Sequence, residues 1–92
     1  MKAVKKVIRL KVKDLTKAQI DKGIPTDAAL AEAIGVSASQ VWRAKLPITD
    51  ERHNAPGVQF IAGVMGAFEA PFEDFFYFED AQVLPSEREV SR

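Results

Sequence analysis

Residues 27–46, DAALAEAIGVSASQVWRAKL, leave this chain few ways to fold, because they read as two short helices packed across one tight turn. Leu30 and Ile34 form an i, i+4 apolar pair on the first helix, and small Ala31 beside them lets a second helix cross closely. Gly35 stands where the chain must reverse, a position that favours a residue able to adopt the left-handed conformation. Val36 plugs the corner, and Val41 with Ala44 turns the second helix back onto the first. Ser37 followed by Gln40 is the pattern of a capping box, so the second helix is expected over 37–45. The spacing is that of a helix-turn-helix, in which the second helix enters the DNA major groove and the first crosses the backbone.

The flanks extend this unit into one small domain. The run VIRLKV (7–12) alternates Ile8, Leu10 and Val12 against Arg9, Lys11 and Lys13, which predicts a strand over about 8–12. A helical pattern follows from Asp14 to Lys22, with Leu15 and Ala18 facing inward, and Gly23 with Ile24-Pro25 ends it. Thr26 is the expected N-cap of the helix Asp27–Ile34, and Asp27 suits its first turn. The polar stretch PITDERHNAPG reads as a loop. A fourth helix is expected from about Gly57 to Phe68, with Val58, Ile61, Met65 and Phe68 as its core-facing stripe. Gly63 and Gly66 would let another backbone come close to it. Pro71 can open a single helical turn, and FFYFE (75–79) has the aromatic content of a strand. Since a lone strand leaves its backbone groups unpaired, 8–12 and 75–79 are expected to pair. The expected class is mainly α, four to five helices closed by a two-stranded sheet. Residues 1–84 form the domain around the 27–46 core, with 85–92 as a flexible tail.

Composition narrows the function. A chain of 92 residues with 47% hydrophobic content forms one compact core. It has no cysteine, hence no disulfide framework and no thiolate metal site. Apolar residues after the basic N-terminus alternate with charges, unlike a signal peptide, and no apolar run approaches the roughly 20 residues that cross a bilayer. A cytoplasmic location is expected. His53 is the single histidine, in a polar loop without ligand partners, so no metal is expected. The carboxylates Glu69, Glu73, Asp74, Glu79 and Asp80 lack the spacing of a calcium loop. No phosphate loop or nucleophile–base set is present, so neither cofactor nor enzymatic activity is expected.

Net charge is zero but unevenly placed. Residues 1–52 hold 11 Lys/Arg against 6 Asp/Glu, whereas residues 53–92 hold 2 against 7. The helix-turn-helix lies in the basic half, and phosphate contact depends on the local field. Lys2, Lys5 and Lys6 have the composition of a basic arm that could reach DNA.

Between Arg9 and Glu79 the chain resembles the lambda-repressor-like, Cro/cI-type (XRE) helix-turn-helix regulators, closest to the short versions of actinobacteria and their phages. The resemblance rests on IRLKVKDL, TDAALAEAIGVSASQV, APGVQFIAGVMGAF and PFEDFFYF, in that order. It departs after the second helix, where Ala44-Lys45-Leu46 replaces the usual Glu-Asn-Gly-like turn, and the loop 47–56 is longer. The resemblance implies a DNA-binding transcriptional regulator, a repressor of phage, prophage or host origin, dimeric on a double-stranded operator. Its base-reading positions fall on Ala38, Ser39 and Arg43, with Gln40 and Trp42 at the margins. Arg43 can fork onto guanine, Ser39 can bond a base edge or phosphate, and Ala38 offers a methyl to thymine. Thr26, Ser37 and Lys45 are placed as backbone contacts, with Thr26 favoured over Asp27, whose charge has the wrong sign for phosphate. Trp42 has two readings, stacking on the DNA backbone or packing against the loop 47–56. Strand alternation sends Phe76 and Phe78 to one face and Phe75 and Tyr77 to the other, so Phe75 and Tyr77 are the candidate dimer surface. Two other readings stay open: a protein-binding module of the antitoxin or anti-regulator kind, gripping a basic partner through the acidic aromatic half, and a DNA-bending recombination accessory protein.

Overall fold

A computed structural model describes residues 4–82, with side chains for 5–80. The order is β1 (Val4–Leu10), α1 (Val12–Asp21), α2 (Asp27–Ile34), α3 (Ala38–Lys45), α4 (Val58–Phe68), α5 (Phe72–Phe75) and β2 (Phe76–Gln82). The protein is mainly helical with a small two-stranded antiparallel sheet. No helix among the described residues is long and apolar enough to cross a membrane. Lys2 and the tail 85–92 lie outside the described residues.

The two ends of the chain do pair, over longer and shifted stretches. β1 and β2 run antiparallel with Ile8 opposite Phe78 and Leu10 opposite Phe76. The inner bounds of both strands differ from the expected ones. Val12 is the first residue of α1 rather than the last of a strand, because the Lys11 N–H donates to the Phe75 carbonyl (2.8 Å) and the chain turns there. Phe75 belongs to α5, the single turn that Pro71 opens, so the strand starts one residue later.

This pairing also changes the charge picture. It sets Lys6 opposite Asp80, with which it forms an ion pair, and Arg9 diagonally across from Glu79, at 2.9 Å. Cations of the basic half and carboxylates of the acidic half thus neutralise each other along the sheet. Lys5 and Lys6 sit in β1, not in a free arm.

Leu15, Leu30, Val41, Val64 and Phe76 form the fully buried centre of the core. Phe76 is stacked on Phe72, with ring centroids 5.3 Å apart, and meets Phe60 edge-on at 6.3 Å, so it joins β2 to α4 and α5. The inward stripe of α4 is Phe60 and Val64, flanked by Ile61, Ala67 and Phe68. Val58, expected inside, is 83% exposed, and Met65 is only half-buried. Gly63 sets this phase. A Cβ built on it would lie 2.1 Å from the Ile34 carbonyl oxygen, so α4 and α2 touch backbone to backbone there. Gly66 has open space around it instead, and no close approach explains it.

Candidate nucleic-acid interface

The helices α2 and α3 and the turn between them are built by local chemistry that matches the sequence pattern. Thr26 caps α2, its Oγ1 accepting from the Ala29 N–H at 3.1 Å. Gly35 takes φ +79°, and both its N–H and that of Val36 donate to the Ala31 carbonyl. Ser37 Oγ accepts from the Gln40 N–H, and Gln40 Oε1 accepts from the Ser37 N–H at 2.9 Å, completing the capping box. Such a cap is worth about 1 kcal/mol, enough to hold the first turn of an eight-residue helix in register.

Val41 and Ala44 bury the inner face of α3. Its outer face carries two i, i+4 rows, Ala38–Trp42 and Ser39–Arg43, all four residues exposed. Arg43 makes no side-chain hydrogen bond or ion pair among the described residues, so its guanidinium is available. The rows gather the expected base-reading positions on one surface. Gln40 is exposed beside them, but its oxygen is occupied by the cap.

Trp42 meets the loop 47–56, one of its two readings. The Arg52 guanidinium lies over its ring, 5.1 Å from the centroid, while a substantial part of the indole stays in solvent. Asp50 anchors Arg52 in turn through Nε (3.1 Å) and Nη2 (2.9 Å). These hydrogen bonds from Arg52 hold the Asp50 carboxyl at a pKa of about 2, well below its usual range. The loop that looked anomalously long therefore buttresses the second helix.

The unusual end of α3 has a physical cause. Leu46 precedes Pro47 and is extended, so the helix stops without a glycine. Its terminal carbonyls are satisfied by the loop instead: the Asn54 N–H donates to the Arg43 carbonyl, and His53 Nδ1 lies 2.9 Å from that of Leu46.

Three expected residues are placed differently. Lys45 turns inward instead of toward a phosphate. Its side chain is 15% exposed, and its ammonium donates to Gln19 Oε1 and to Asp27 Oδ1, the latter at 2.8 Å. Phe75 is buried against Phe68, with ring centroids 5.4 Å apart, and cannot form a dimer surface. Tyr77 is exposed as expected. Phe78, expected on the core side of the sheet, is 60% exposed, with its ring stacked on Phe72 at 5.2 Å between centroids. Gln19 was not anticipated. It is 4% exposed, and the signal for it was its position one turn after Leu15 on the same helical face.

No protein-family model matches this chain, and neither curated proteins nor solved structures give a significant match.

Proposed function

We propose that this chain is a lambda-repressor-like helix-turn-helix transcriptional regulator that reads the DNA major groove with α3. The observation that carries the reading is the outer face of α3, where Ser39 and unpaired Arg43 share a row on a helix fixed by its capping box. The N-terminus of α2 supports it. Thr26 occupies the Ala29 N–H, and the N–H groups of Asp27 and Ala28 have no intrahelical acceptor, which suits a phosphate. Occupancy of an operator would exclude polymerase without a cofactor. Half-sites would be read by a two-fold pair of subunits, for which exposed Tyr77 offers apolar surface. The protein-binding alternative loses part of its grip, since Glu79 and Asp80 are already engaged by Arg9 and Lys6.

Arg43 is the residue expected to discriminate. Arg43→Ala should relax preference at one base pair by about 1–3 kcal/mol while leaving other positions of the site unchanged. Competition binding against single-base variants of a selected site measures this. Equal loss across all sequences would reassign Arg43 to the phosphate backbone.

A further inference from the structure

Lys45 joins the last turn of α3 to the first turn of α2 and the C-terminal part of α1. Its four-carbon stem carries the ammonium under the helix-turn-helix, where it meets Asp27 and Gln19. Gln19 is the one buried polar residue among those described, and the ammonium supplies a donor to its side-chain oxygen. Each charge also suits its own helix: a carboxylate in the first turn of α2 and a cation in the last turn of α3 both complement the backbone dipoles.

The partnership matters because of where Asp27 stands. Its carboxylate belongs to the turn whose free N–H groups the proposed function turns toward a phosphate. An uncompensated negative charge there would oppose DNA. We infer that Lys45 is an internal counter-ion, which cancels Asp27 and so lets the N-terminus of α2 approach the phosphate backbone without touching DNA itself. The inference rests on the DNA-binding reading. In it, Asp27 serves the fold as a helix-start residue, and Lys45 removes its electrostatic cost to binding. Lys45 is a positioning residue, acting through Asp27 and Gln19.

Affinity for a selected duplex separates this role from direct contact. Lys45→Gln keeps a polar side chain for Gln19 but removes the charge. It should weaken binding about five- to tenfold in about 0.1 M salt, similarly for all sequences. The double variant Asp27→Asn/Lys45→Gln restores the local balance and should return to within about twofold of the parent protein. Glu32→Gln/Lys45→Gln, which removes an exposed carboxylate elsewhere on α2, should stay weak. Melting curves confirm that each variant is folded, and Lys45→Met provides the same comparisons with a second neutral side chain. Lys45 as counter-ion is overturned by undiminished binding of Lys45→Gln, by a double variant that stays weak, or by equal rescue through Glu32→Gln. Failure of the parent protein to bind any selected duplex would instead overturn the DNA-binding reading.

Discussion

Gly63→Ala is expected to destabilise the protein by about 2–3 kcal/mol, although alanine is the better helix former by about 1 kcal/mol. The added methyl would sit 2.1 Å from the Ile34 carbonyl oxygen and 2.8 Å from the Ile34 Cβ. Backbone carbonyls in a helix cannot swing aside as a flexible side chain does. α4 must therefore lift from α2, opening the contact beneath Phe60 and Val64. For a domain of this size the loss corresponds to a fall in Tm of about 10–20 °C. Gly66→Ala, in the same helix with open space around it, should instead gain about 0.5–1 kcal/mol. Thermal melts of the two variants side by side decide the matter. Equal and opposite shifts are not required, but a stabilising Gly63→Ala would contradict the close crossing of α2 and α4.

Phe76→Ala is the largest single loss expected, about 3–5 kcal/mol. Phe76 is fully buried and touches aromatic rings from two other elements, so its removal leaves a cavity bounded by Phe72 and Phe60 that rigid neighbours cannot close. Against a total stability of about 5–15 kcal/mol, this takes much of the folded state's margin. Phe78→Ala, two residues along the same strand face, should cost less than about 1 kcal/mol, because that ring already stands largely in solvent. Chemical denaturation of both variants measures the contrast. Similar losses would mean that β2 does not pack on the helices as described.

What could be read in advance was whatever the chain decides locally. Thr26, Gly35, Ser37 and Gln40 act within a turn of themselves, and the bounds of α2 and α3 follow from them. The pairing of the chain's two ends was legible for a different reason, since an isolated strand has nowhere to place its backbone groups. The phase of α4 was not legible. VQFIAGVMGAF is apolar on nearly every side, so no stripe stands out, and the choice falls to Gly63 pressing on Ile34. The aromatic run 75–78 misled at its first residue, because Pro71 takes Phe72–Phe75 into a helical turn and so buries Phe75. Lys45 misled most. An exposed last turn with a lysine reads as a phosphate contact, and its partners, Gln19 and Asp27, come from two other helices that only the packed structure brings together.

The central claim is that α3 reads duplex DNA, and selection from a random-sequence duplex pool by the purified protein tests it most directly. Enrichment of a defined motif is expected. A two-fold reader would enrich a palindrome with half-sites about 10 bp apart or a multiple of that, and affinity for it should fall steeply with salt. A bound pool indistinguishable from the starting pool would contradict the claim.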